Sequence, residues 1–96
     1  MSEVKLKLDN RGRGGFYLEK DGKQIGEMVV GLSETTLTVY HTEVDPEMEG
    51  QGFAKKMFDE MVSYARDQEL LVMPLCEYVH AQFRRHPDDF ADIWKK

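Results

Sequence analysis

The chain has 96 residues, enough for one compact domain spanning 1–96 and no second one. Eighteen acidic residues against thirteen basic ones give a formal charge of −5. With no surplus of cations to release counterions or meet anionic lipid, nucleic-acid binding and polybasic membrane binding are both excluded as expectations. Apolar residues at 41% exclude a disordered chain.

The chain opens on alternation. Val4, Leu6 and Leu8 are spaced by Lys5 and Lys7, and Phe16 and Leu18 by Tyr17, which predicts two strands. Asp9–Gly14 between them is turn chemistry. Lys20-Asp21-Gly22-Lys23 predicts a tight hairpin, because Asp-Gly suits the positive φ angles of a type I′ turn. A third strand is expected over Gln24–Val30, a turn over Gly31–Glu34, and a fourth strand over Thr35–Val44, whose threonines, valines and tyrosine fit a pleated surface.

After Pro46 the period becomes helical. Phe53/Ala54, Met57/Phe58, Met61/Val62 and Ala65 form one apolar stripe, with Lys55, Lys56, Asp59, Glu60 and Ser63 facing water. Leu70–Met73 is wholly apolar, which predicts a strand covered on both faces and ended by Pro74. This run is also far too short to span a bilayer. A helix over Glu77–Arg85 stops at His86-Pro87, and Pro87 opens a last short helix carrying Phe90, Ile93 and Trp94 on one side. The order β-β-β-β-α-β-α-α defines an α+β domain: four antiparallel strands, then one β-α-β crossover that adds a parallel strand.

The junction between the fourth strand and the long helix carries the chemistry. It reads Val44-Asp45-Pro46-Glu47-Met48-Glu49-Gly50-Gln51-Gly52-Phe53-Ala54. A glycine-bearing turn at a helix start leaves backbone N–H groups unpaired at the positive end of the dipole, where a pyrophosphate can approach. On spacing alone the same glycines equally serve a tight strand-to-helix turn. Taken with Val44-x-Pro46 and the small residues Gly52 and Ala54, however, the run from Val44 to Arg66 resembles the acetyl-coenzyme A binding segment of the GNAT N-acetyltransferase superfamily. With His41-Thr42-Glu43-Val44, Pro74-Leu75-Cys76 and Arg84-Arg85-His86-Pro87, residues 14 to 94 resemble a compact single-domain subgroup of it.

The resemblance implies a cofactor, acetyl-CoA, and an amine acceptor. The amides of Gly50, Gln51, Gly52, Phe53, Ala54 and Lys55 would cradle the pyrophosphate. Main-chain groups around Glu43 and Val44 would pair with the pantetheine arm, where the fourth and fifth strands part. Three features depart from the family: Glu49 stands where Arg or Gln is usual, Phe83 where a proton-donating tyrosine is usual, and a bare turn where helices wall the acceptor pocket. The acceptor site is therefore expected to be open or completed by another chain.

Glu43 and His41 lie two apart on one strand and so share a face, a spacing that suits a general-base pair and equally a solvated ion pair. Cys76, the single cysteine, precedes a helix, where a thiolate is favoured. It would act as nucleophile or beside the departing thiol; otherwise it packs as a small apolar group. As the only cysteine it excludes an intramolecular disulfide and points to a reduced, cytoplasmic compartment. The N-terminus lacks the apolar stretch of a secretory signal. Lys55, Lys56, Arg84 and Arg85 would meet the adenosine 3′-phosphate or form a solvated face. His86 would cap the helix end, and His80 has no evident partner. No metal-ligand spacing links the histidines and Cys76, so no metal is expected. The leading expectation is an acetyl-CoA-dependent N-acetyltransferase, monomeric or homodimeric. The rivals are a non-catalytic coenzyme A or acyl-CoA-binding module and an interaction domain that has lost the cofactor.

Overall fold

The computed structural model describes residues 2–96. Five strands, β1 (Ser2–Leu8), β2 (Arg13–Lys20), β3 (Lys23–Leu32), β4 (Thr36–Val44) and β5 (Leu71–Pro74), form one sheet in sequence order. Pairings are antiparallel except the last, in which β5 runs parallel to β4. Helices α1 (Phe53–Asp67), α2 (Glu77–Arg85) and α3 (Pro87–Phe90) complete the α+β domain in the expected order. The molecule is a slab of 35 × 33 × 20 Å, thin because the helices cover one face of the sheet only.

That face holds the core. Met57, Phe58, Met61, Val62 and Ala65 of α1 are buried against Phe16, Leu18, Met28, Val30, Leu37 and Val39 of the sheet. Val79 and Phe83 of α2 extend the layer. Phe58, Phe83, Phe90 and Trp94 form an aromatic group with ring centroids 5.1 to 5.9 Å apart. Arg66 closes α1 onto the C-terminal segment. Its guanidinium donates to both Asp92 carboxylate oxygens, at 3.0 and 3.2 Å, and to the Asp89 carbonyl at 2.6 Å.

Three expectations need correction. The third strand runs on through Leu32, so Gly31 is a strand residue opposite Thr38, and the turn is Ser33–Thr35. Ser33 fixes that turn, its N–H donating to the Thr36 carbonyl and its Oγ accepting from the Thr36 N–H. Second, β5 is not covered on both faces: Leu71 is 40% exposed, since no helix packs on the outer side. Third, α3 ends at Phe90. Ile93 and Trp94 lie beyond it, where Val72 N–H donates to the Ile93 carbonyl and Lys95 N–H to the Val72 carbonyl. This short segment covers the outer edge of β5, satisfying groups that an edge strand would leave open. His80, expected to lack a partner, meets the Trp94 ring edge-on at 6.0 Å.

Two measurements test this packing. Phe83→Ala should lose about 3–5 kcal/mol in urea unfolding, because the ring is fully buried among other rings. Arg66 holds the Asp92 carboxyl below its ordinary value. The stability this contributes is present above the unfolded-state value and is lost as pH falls through the lower folded one. Asp92→Asn should therefore lower Tm at pH 7, and the difference from wild type should begin to shrink only as pH falls to the ordinary carboxylate value of about 4 and close below the lower folded-state value.

Candidate active site

The site begins with a fork. Pairing of β4 with β5 covers only Thr36↔Leu71 to Val39↔Pro74. Two residues stop it. Pro74 has no N–H to continue a ladder. Tyr40 is an extra residue, because Val30 faces Val39 while the adjacent Val29 faces His41. Such a bulge bends and twists its strand. The ring of Tyr40 lies over β3, where a Cβ on Gly31 would stand 3.2 Å from it and crowd the ring. Beyond the last pair, the Cys76 N–H donates to the Val39 carbonyl at 2.9 Å. From Tyr40 to Val44, β4 then runs on with β3 alone as its strand partner.

The second part is the mouth of α1. After β4 comes a short 3-10 turn, Pro46–Met48, closed by the Met48 N–H on the Asp45 carbonyl. The first hydrogen bond of α1 is Lys56 N–H to the Gly52 carbonyl. No side chain caps the helix. Among the described residues, the amides of Gly50, Gln51, Gly52, Phe53, Ala54 and Lys55 thus have no backbone acceptor. Gly50 and Gly52 hold left-handed φ angles of 82° and 81°, with open space around each. The requirement for glycine here is conformational, and the open space leaves the amides accessible.

Side chains sort by face along β4. Thr42 lies opposite the core residue Met28, whereas His41 lies opposite Val29 on the uncovered face. His41 Nε2 and Glu43 Oε1 are 3.6 Å apart and both side chains are exposed, so the pair shares a face as expected. Cys76, the N-cap of α2, is buried and sits on the other side, with Thr42 Oγ1 3.2 Å from its Sγ. The three candidate catalytic residues therefore flank the fork from its two faces and do not form one cluster.

Two further side chains escape a reading by motif. Thr42 follows from alternation, since it lies between two outward residues. Tyr78 stands on the first turn of α2, its ring edge-on to Phe58 at 6.2 Å. Burial raises its phenol above the ordinary value, so the hydroxyl stays protonated at neutral pH. Phe83, by contrast, belongs to the core and is remote in character from the site.

Two cavities flank the loop. One, about 190 Å³, lies between Met48, the glycines, the first turn of α1 and Tyr78. The other, about 430 Å³, lies toward β3 and is walled by the carboxylate residues Glu27, Glu43, Asp45 and Glu49. Of the basic residues at the helix mouth, Lys55 pairs with Asp59 at 2.9 Å, and Lys56 donates to the Ser2 carbonyl and hydroxyl, each at 2.7 Å. Arg84 and Arg85 are exposed at the far end of α2. His86 ends that helix through its N–H on the Gln82 carbonyl. Among the described residues no three His, Cys, Asp or Glu side chains are grouped to hold a metal ion, and no helix is long and apolar enough to cross a membrane.

With this geometry in place, comparison with known proteins is direct. A sequence model of the GCN5-related N-acetyl-transferase family matches residues 15–93, and the chain belongs to that family. The solution structure of a GCN5-like protein from Staphylococcus aureus is similar, with TM-score 0.69 and 23% identity over 97% of this chain and 87% of that one. The ribosomal-protein-S18-alanine N-acetyltransferase from Escherichia coli gives TM-score 0.64 and 15% identity over 69% of this chain and 43% of that one. For the ribosomal-protein-alanine N-acetyltransferase from Brucella melitensis biovar Abortus 2308 the values are 0.63, 17%, 83% and 64%. At these identities the likeness is one of fold, and the chain spans less than two-thirds of either enzyme's length. No curated protein matches the chain closely enough in sequence to support a comparison.

The left-handed N-cap is open to test. Gly52→Ala should destabilise the protein by about 1–2 kcal/mol, the cost of a Cβ in that conformation. Because the amides would turn with it, affinity for a phosphate-bearing ligand should fall in calorimetry by more than for Gln51→Ala.

Proposed function

We propose that the chain transfers an acetyl group from acetyl-CoA to an amine acceptor. The observation that carries this reading is the row of six unpaired amides, Gly50 to Lys55, at the mouth of a helix beside an unzipped strand. Val44, Gly50, Gln51, Gly52, Phe53, Ala54 and Lys55 bind the cofactor: the amides receive the diphosphate, and the free side of β4 receives the pantetheine arm as a strand would be received. The cavity toward β3 is walled by four carboxylate residues, which disfavours a phosphate within it, whereas among the described residues Glu49 is the one carboxylate residue lining the cavity beside Tyr78. Tyr78 donates a hydrogen bond to the arm there.

Transfer forms a C–N bond and breaks the C–S bond of the thioester; one proton leaves nitrogen and one reaches sulfur. Glu43 with His41, on the open face, takes the amine proton directly or through water. Cys76, on the helix face, either carries the acetyl group on its own sulfur before the amine receives it or stands beside the departing thiol. The acceptor approaches over an open face, because β1 and β2 are joined by a turn whose carboxylate, Asp9, accepts N–H bonds from Arg11 and Arg13. The rival reading, a module that binds coenzyme A without transfer, is favoured by one observation: the helix position expected to supply a phenol is the core residue Phe83.

Calorimetry with acetyl-CoA should give saturable heat, and none at high micromolar ligand would overturn the cofactor. Thiol release with polyamines, amino acids and lysine peptides should exceed the hydrolysis background for one class; binding without release selects the rival. Intact mass after incubation should show an acetyl group on wild type and none on Cys76→Ser if the covalent route operates, and a fully active Cys76→Ser eliminates that route. Tyr78→Phe should raise the Kd for acetyl-CoA by about fivefold, one hydrogen bond's worth. The wild-type advantage should persist to about pH 10, because the phenol's raised pKa keeps it a donor.

A further inference from the structure

We propose that Lys20, on the β2–β3 hairpin, is the side-chain cation of the anion site and meets a phosphate of the cofactor, a role that Glu49 cannot fill. This inference rests on the cofactor reading above. The mouth of α1 carries acidic side chains, Asp45, Glu47 and Glu49, on the loop that leads into it. A dianionic or more highly charged ligand held only by amides there would face their repulsion uncompensated. The helix itself offers little help. Lys55 is engaged by Asp59, and Lys56 is turned away to the start of β1, where it donates to Ser2.

The hairpin supplies what the helix does not. Lys20 Nζ lies 5.6 Å from the centroid of the Phe53 ring, and Phe53 is the first residue of α1, next to the left-handed Gly52. The stem of Lys20 is half-buried, which keeps the ammonium at this end of the helix. No carboxylate among the described residues pairs with it. Its neighbour directly across the hairpin is Lys23, another cation. Two like charges placed opposite each other on adjacent strands repel, and an anion bound between hairpin and helix mouth relieves that repulsion. The cation thus comes from a strand distant in sequence, which is why the local motif around Glu49 gives no sign of it.

The test is binding of coenzyme A to Lys20→Met, which keeps an apolar stem over Phe53 and removes the charge, with Lys20→Gln as a second variant and Lys20→Arg as the rescue. Kd should rise about fivefold for Met and Gln and return to within about twofold for Arg. The dependence of Kd on salt should become shallower in Met and Gln while Tm stays near wild type; a merely structural role would move Tm and leave the salt dependence unchanged. Repeating the titration with 3′-dephospho-coenzyme A identifies the phosphate: a persisting loss assigns the contact to the diphosphate, and a vanished one to the 3′-phosphate. An unchanged Kd in folded Lys20→Met and Lys20→Gln, with wild type binding normally, overturns the role of Lys20 alone. Failure of the wild type to bind coenzyme A overturns the cofactor reading and this inference with it.

Discussion

The parallel ladder between β4 and β5 lasts four residue pairs, and the site depends on where it stops. A ladder that continued would satisfy the free side of Tyr40–Val44 internally and leave a closed sheet with nothing to offer a ligand. Proline on one strand and a surplus residue on the other end it, each by removing a hydrogen bond the ladder needs. The strand does not lose its support where the ladder ends: Thr42 meets Cys76 at the start of α2, and Val44 packs on the same core that α1 and α2 form over the paired part of the sheet.

The uncovered face has a similar logic. With helices on one side only, β4 offers side chains to two environments across a single strand. Thr42, half-buried, meets the buried Cys76 on the covered face, whereas His41 and Glu43 stand in water. Groups that handle sulfur and groups that handle an amine have different needs. The first profits from exclusion of solvent; the second must admit an acceptor and exchange protons with bulk water. For the proposed transfer, the slab would separate the two by geometry, with helices on one face only.

Much of this was legible in the sequence. Strand and helix periods, the Asp-Gly hairpin, the His86-Pro87 break and the glycine-bearing junction follow from local rules, and the element order follows with them. The misses have a common physical origin. Periodicity shows that Leu70–Met73 is apolar but not how many layers cover it, so the exposure of Leu71 depends on tertiary packing alone. Gly31 reads as a turn residue because glycine usually is one, yet here it makes room for a ring from the next strand. Ile93 and Trp94 sit at helical spacing and nevertheless serve an edge strand, which no local window reveals. For the site, alternation placed His41 with Glu43 correctly. It could also have exposed the bulge, since Leu37 and Val39 mark inward positions of odd number while Val44 marks one of even number. Lys20 carried no signal at all, being thirty-three residues from the Phe53 ring it covers.

The surplus residue at Tyr40 has a consequence for the gene as well as for the sheet. Without it, Val39, His41, Thr42, Glu43 and Val44 would follow unbroken in-out order, every one of them keeping the face it now has. Loss of a single codon is therefore the smallest genetic lesion that respects the hydrophobic pattern of β4 while withdrawing the distortion that parts it from its neighbour. Lineages that kept the scaffold and abandoned the ligand would have had an in-frame path of one step.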